Sequence, residues 1–156
     1  SDHDYFRYIK DMHQSAVRTE LGALAPDFTM ETPEGELFTL SSLRGKVVLL
    51  EFWASWCGPC RRENPNVVAV YEELNPLGLE IVSVSLDREM DPWKQAILDD
   101  DLSWHHVSDL KGYANRVALL YGVNTVPRIF LLNKEGVIVD KNLRGEALKT
   151  SVLKYL

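Results

Sequence analysis

The sequence predicts a single α/β domain built on a mixed sheet flanked by helices. Two nearly continuous apolar runs, at 46–53 and 79–86, read as strands covered on both faces, and each is followed by residues at helical spacing. A hairpin pattern and a last helix then close the chain, so strands alternate with helices before the sheet turns antiparallel. With 156 residues, 46% of them hydrophobic and 26% charged, the chain can bury one sizeable core and is hardly long enough for two.

Each element has a local reason. Residues 4–18 carry Tyr5, Tyr8, Ile9, Met12 and Ala16 at mostly three- and four-residue steps, which predicts an extra N-terminal helix ended by Gly22. Residues 1–24 are therefore expected to form a helix or linker ahead of a domain at 25–156. Phe28-Thr29-Met30 and Leu37-Phe38-Thr39-Leu40 flank the turn-rich Pro33-Glu34-Gly35 and predict an N-terminal β-hairpin. Val67, Val70, Tyr71 and Leu74 predict a helix closed by Asn75-Pro76-Leu77-Gly78. Further on, 93–98 and 114–121 read as helices and 104–107 as a short strand. Residues 128–132 and 137–141 form a hairpin around Asn133-Lys134-Glu135-Gly136, and 146–155 is a closing helix. The chain has no internal repeat and no low-complexity tract.

A net charge of −6 and a pI near 5.2, with no basic arm, argue against nucleic acid or an anionic membrane as partner. No stretch approaches the roughly 18 continuous apolar residues of a membrane helix, and no basic-then-apolar leader opens the chain. The first residue is Ser1 rather than Met, which leaves room for a signal peptide, a membrane tether or an upstream domain.

The chain's only two cysteines lie in Trp56-Cys57-Gly58-Pro59-Cys60, directly after the first buried strand. At a helix start, unpaired backbone N–H groups and the positive helix end favour a thiolate on the first sulfur. A free thiol with a pKa near 8.5 is only ~3% ionised at pH 7, whereas one lowered to ~7 is roughly half ionised. Cys57 is thus the expected nucleophile and Cys60, one turn further in, the resolving thiol. The alternatives are a structural disulfide, half of a metal site, or two buried thiols. A loop this short makes a disulfide a weak staple. Zinc needs about four ligands, and the adjacent His105-His106 would point to opposite faces of a strand. No metal and no cofactor is expected.

The run Phe52-Trp53-Ala54-Ser55-Trp56-Cys57-Gly58-Pro59-Cys60 resembles the thioredoxin active site, and Pro65 matches that family's proline five residues past the second cysteine. Val126-Pro127, ahead of apolar 129–132, resembles its cis-proline loop. Ala25-Pro26-Asp27-Phe28 with its hairpin, and Arg61-Arg62-Glu63-Asn64-Pro65, are similar to the TlpA/ResA-type thiol-disulfide oxidoreductases that reduce disulfides outside the cytoplasm. The resemblance covers about residues 25–156 and implies a thioredoxin-like fold. It implies a disulfide-containing protein as substrate, an upstream thiol electron donor, and a place in the bacterial cell envelope or periplasm.

Glu51 interrupts the first buried strand six residues before Cys57, where the resemblance places thioredoxin's buried acid, usually Asp. Burial would raise its pKa and fit it to accept the Cys60 proton; the competing account is a strand-end glutamate paired with a lysine. Glu63 lies three residues after Cys60 on the same helix, where ResA-type proteins carry an active-site glutamate; an acidic residue favoured by the helix dipole explains it as well. An X-Pro bond is by itself expected to be trans. The resemblance instead implies a cis Val126–Pro127 bond, with Val126 and Pro127 flanking the sulfurs and the Val126 backbone free to pair with an extended substrate. Trp56, Gly58 and Pro59 are the expected substrate surface beside the sulfurs, and Trp53 and Trp56 are placed to wall the site, although ordinary core packing explains Trp53 equally well. Arg128 stands where thioredoxins usually have Thr; a solvated strand-end charge is expected there ahead of a contact with acidic partners.

The leading function is a protein-disulfide reductase, since Gly-Pro between the cysteines is the thioredoxin sequence, with a potential of about −270 mV against about −120 mV for the oxidant DsbA. Peroxiredoxin-like thiol peroxidases share the Ala-Pro-Asp-Phe start and a Leu43-Arg44-Gly45-Lys46 segment. Their Pro-x-x-x-Thr-x-x-Cys motif would require Pro and Thr where this chain has Leu50 and Ala54. A non-enzymatic metal or haem-maturation binding module is the third reading.

Overall fold

The structure is a computed structural model that describes residues 3–7, 9–10 and 18–156. Five strands form the central sheet in the order β5-β4-β3-β6-β7. Its middle is β3 (Val47–Trp53), in which every residue is buried. On one side β3 pairs in parallel with β4 (Leu79–Ser85), and β4 pairs in parallel with β5 (His105–Val107). On the other side β3 runs antiparallel to β6 (Arg128–Leu132), which forms a hairpin with β7 (Ile138–Lys141). A separate two-stranded sheet, β1 (Thr29–Glu31) with β2 (Leu37–Thr39), is the expected N-terminal hairpin.

Helix α1 (Gly58–Leu74) begins at the cysteines and buries Cys60, Asn64, Val67, Val70 and Leu74 at helical spacing. Pro65 lies inside it and has no N–H to give the Arg61 carbonyl. The helix runs into a 3-10 turn at Asn75–Leu77 and stops at Gly78, whose φ of 115° is open to glycine and strained for other residues. The Gly78 carbonyl then accepts from Val47 N at 3.1 Å, so the stop signal also fixes the start of β3.

Helix α2 (Met90–Asp99) buries Trp93 and Ala96. The helix expected over 114–121 divides into a 3-10 turn at Gly112–Ala114 and α3 (Arg116–Leu120). Asn115 causes the break, because its side-chain oxygen caps the Val117 and Ala118 N–H groups at 2.9 Å. Helix α4 (Glu146–Leu153) closes the domain and packs against α1.

The 25–28 stretch is held at both ends. Tyr121 donates its hydroxyl to the Pro26 carbonyl, and Asp27 Oδ1 accepts from Phe28 N and Ser41 N, both at 2.9 Å. Upstream, Gly22 N donates to the Ile138 carbonyl and Ala25 N to the Gly136 carbonyl, so the chain runs beside the β7 hairpin before entering the domain. Residues 3–7 and 9–10 are helical and exposed, Tyr5 and Ile9 included. Tyr8, Met12 and Ala16 of the predicted N-terminal helix lie outside the described residues. No helix among the described residues is long and apolar enough to cross a membrane.

Candidate active site

Cys57 ends the loop after β3 and is the N-cap of α1, disulfide-bonded to Cys60. Its sulfur accepts from Cys60 N at 3.2 Å, so an otherwise orphan helix N–H points at the sulfur that would carry charge on reduction. Pro59 sits in the first turn, where its missing N–H costs nothing. Both cysteines are only 4% exposed, although Trp56, Gly58 and Pro59 around them are open to solvent.

Glu51 lies mid-strand on β3 and is 5% exposed. Its register partner on β4 is Ser83, which puts both side chains on one face, and Ser83 Oγ donates to Glu51 Oε1 at 2.5 Å. Trp104 Nε1 donates to the same hydroxyl at 2.8 Å, which leaves the Ser83 proton directed at the carboxyl group. Burial raises the Glu51 pKa to about 7, the Ser83 bond opposing and the nearby Glu63 charge adding to the rise. No lysine pairs with it among the described residues, so the strand-end ion pair is not formed here.

Glu63 is half-buried on α1, and its Oε1 accepts from Gly145 N and Asn66 Nδ2, both at 2.8 Å. Asn66 Nδ2 also donates to the Gly145 carbonyl at 3.1 Å. Gly145 is the N-cap of α4 with φ 59° and ψ −141°, a backbone that glycine adopts readily, so Glu63 ties the two helices together beside the cysteines.

One cavity of about 540 Å³ unites most of the predicted site. Glu51, Trp53, Pro59, Cys60, Glu63, Val126 and Pro127 all line it. The Val126–Pro127 bond is cis, as the resemblance implies. Cys57, Trp56 and Gly58 are outside this lining: Cys57 joins it only through its bond to Cys60, and Trp56 is 56% exposed and lies against Tyr113, with ring centroids 5.9 Å apart. Of the two tryptophans expected to wall the site, Trp53 does so, while Trp56 forms an exposed aromatic face beside it.

The loop into Cys57 is clamped through two carboxylates that the sequence reading passed over, Asp87 and Asp100. Buried Asp87, just past β4, accepts from Ser55 Oγ at 2.5 Å, Ser55 N at 3.1 Å and Ser85 Oγ at 2.5 Å. From the other side Arg61 Nη1 donates to the Ser55 carbonyl at 2.9 Å, while its Nε binds Asp100 at 2.6 Å. Asn64 Nδ2 holds the same Asp100 carboxylate at 2.8 Å. Burial alone would raise the Asp100 pKa, but the Arg61 and Asn64 bonds and the Arg61 charge bring it below the usual range. The available signal was positional: a carboxylate at the C-terminal end of the parallel strand beside β3, where α/β sheets place their sites.

The two histidines diverge. His105 bonds Glu80 at 3.0 Å and stacks on Phe38, whereas His106 is buried between Trp53 and Trp104 with its Nε2 on the Leu102 carbonyl. Among the described residues no cluster of three or more His, Cys, Asp or Glu is arranged to hold a metal. Ala54, where the peroxidase motif would need Thr, is fully buried and brings no hydroxyl to Cys57.

A cysteine pair capping the first helix after the central strand, beside a cis-proline loop, defines a thioredoxin-like thiol-disulfide oxidoreductase. The chain belongs to the AhpC/TSA family, whose model matches residues 21–141. It is 31% identical over 139 residues to the thiol-disulfide oxidoreductase ResA of Bacillus thuringiensis subsp. konkukian (strain 97-27), covering 89% of this chain and 78% of that one. Identity to ResA of Bacillus subtilis (strain 168) is also 31%, over 86% of this chain and 73% of the relative. The thioredoxin domain of a thiol-disulfide oxidoreductase from Bacteroides vulgatus superposes with a TM-score of 0.81 at 35% identity, covering 87% of this chain and 97% of that chain. A thiol-disulfide oxidoreductase from Bacteroides fragilis NCTC 9343 superposes with a TM-score of 0.77 at 32% identity, over 84% and 98% of the two chains.

Proposed function

We propose that the domain at 25–156 is a protein-disulfide reductase in which Cys57 attacks, Cys60 resolves and Glu51 takes the resolving proton. The Cys57 thiolate attacks a substrate disulfide, forming a Cys57–substrate disulfide and releasing one substrate thiolate. Cys60 then gives its proton to Glu51, and the new thiolate attacks Cys57 Sγ, releasing the second substrate thiolate. The protein is left as the Cys57–Cys60 disulfide and the substrate has gained two electrons, which a thiol donor later restores to the pair.

The observation that carries this reading is a buried carboxyl with a pKa of about 7 in the same cavity as Cys60. An acceptor poised near the working pH is the efficient one for a thiol proton. Glu63 acts through Glu51, since its charge helps raise that pKa. The half-buried Val126 and exposed Pro127 at the mouth, with exposed Pro59 and Gly58 and the Trp56 face, provide the surface for an extended substrate strand. Likeness to TlpA/ResA-type proteins supports a place in the bacterial envelope facing away from the cytoplasm, with residues 1–24 as the segment leading into the domain.

The decisive measurement is the reduction potential of the Cys57/Cys60 couple, joined to a trapping assay. A value near −270 mV, with mixed disulfides accumulating through Cys57 in Cys60→Ser, supports a reductase; a value near −120 mV would make the protein an oxidant.

A further inference from the structure

We propose that the active-site cavity selects disulfide substrates with acidic residues flanking the cysteine, through Arg62, Arg128 and Arg144. This rests on the reductase reading above and adds a substrate class to it.

The three arginines come from separate elements, α1, β6 and the loop after β7, and all line the cavity that holds Cys60 and Pro127. Arg62 and Arg144 are exposed and Arg128 is half-buried. None of the three has an ion-pair or side-chain hydrogen-bond partner among the described residues. Their neighbour Arg61 shows the contrast, since its guanidinium is consumed by Asp100 and the Ser55 carbonyl. Arg128 also lines a smaller cavity of about 230 Å³ together with Lys141, which extends the positive surface along β6 and β7.

Against these guanidinium groups the cavity offers two carboxyl groups. Glu51 is buried and half protonated near pH 7, and Glu63, held by the Gly145 N–H and Asn66, keeps its charge, so three guanidinium groups face about one and a half negative charges. A positive mouth on a chain of net charge −6 is a local inversion of sign. That field attracts anionic groups and repels cationic ones. A strand laid along the Val126 backbone would place side chains flanking its cysteine within reach of Arg128 on one side and of Arg62 or Arg144 on the other. Planar guanidinium forks suit carboxylates there.

Two synthetic disulfide peptides, identical except for Glu or Lys on either side of the cysteine, provide the test. Single-turnover oxidation of the reduced full chain is followed by tryptophan fluorescence. At low ionic strength the acidic peptide should react about tenfold faster than the basic one, and the ratio should fall towards one in about 0.5 M salt, where screening is nearly complete. Arg62→Gln/Arg128→Gln/Arg144→Gln should lose the same ratio without added salt; the single Arg144→Gln change, in an exposed loop, should lose part of it. Equal rates for both peptides in the native protein, or a ratio unmoved by salt, would overturn the charge preference and leave the reductase reading standing. Failure to reduce either peptide would overturn both.

Discussion

Ser55 is bound to Asp87 by both its backbone N–H and its hydroxyl, across 32 residues of sequence. The bond fixes the loop two residues ahead of the reactive sulfur. Asp87→Ala would leave the buried Ser85 donor and the half-buried Ser55 donors unpartnered, at a cost on the order of 3 kcal/mol. Urea unfolding should show that loss, and the Cys57/Cys60 potential should shift because the Cys57 loop is no longer held. A variant with unchanged stability and potential would remove Asp87 from the clamp.

Glu51→Gln preserves size and removes the proton acceptor. It should slow resolution of a Cys57 mixed disulfide by ~100-fold or more around neutral pH, the effect typical of a positioned acid-base group. Rapid-quench kinetics of the preformed mixed disulfide reads this step alone. Native rates in folded Glu51→Gln would return this residue to a packing role.

Glu63→Gln retains an oxygen for Gly145 N but removes the charge that helps raise Glu51. The pH midpoint for resolution should therefore move to lower pH, with the rate above the midpoint little changed. A loss of rate at every pH with the midpoint in place would instead mean that Glu63 handles the proton itself.

Glu51 and His106 should oppose each other in acid. Burial raises the Glu51 carboxyl from 4.5 to about 7, so its stabilisation is complete below 4.5 and is lost as pH rises through 7. Burial lowers the His106 imidazole from 6.5 to about 4, the Leu102 bond opposing and His105 adding; its stabilisation is complete above 6.5 and is lost as pH falls through 4. At about 1.4 kcal/mol per unit each swing is on the order of 3 kcal/mol, and the two nearly cancel between them. In the disulfide form, Glu51→Gln should lose stability as pH falls from 6.5 to 4.5, and His106→Gln should gain it. Denaturant midpoints across that interval measure both slopes, and identical profiles for all three proteins would refute the pair.

Cys57 should react with iodoacetamide before Cys60 once the disulfide is reduced, because the Cys60 N–H and the helix end favour a thiolate at Cys57. Peptide mapping after brief labelling at neutral pH decides it. Preferential labelling of Cys60 would reverse the two roles.

Elements with a local cause were legible in the chain. The apolar run ending in Trp53, the Gly78 stop and the turn at Pro33-Glu34-Gly35 stand in the structure close to where periodicity and turn residues put them. The single helix expected over 114–121 was less so, because Asn115 is neutral in a helical pattern and becomes a boundary only when its side chain caps Val117 and Ala118.

The sequence by itself determined the reacting pair and the strand and helix that carry it. Cys-Gly-Pro-Cys places both sulfurs within one helical turn, and Glu51 shares a strand with the loop that feeds them; both relations are short-range. Tertiary structure alone decided what surrounds that pair. The Ser83 proton directed at Glu51, the hold of Asp87 and Asp100 on the Cys57 loop, the Glu63 tie to Gly145 and the meeting of Arg62, Arg128 and Arg144 at one cavity each join residues from different elements. No periodicity encodes such meetings, because they arise from strand register and from which chain segments the sheet brings side by side.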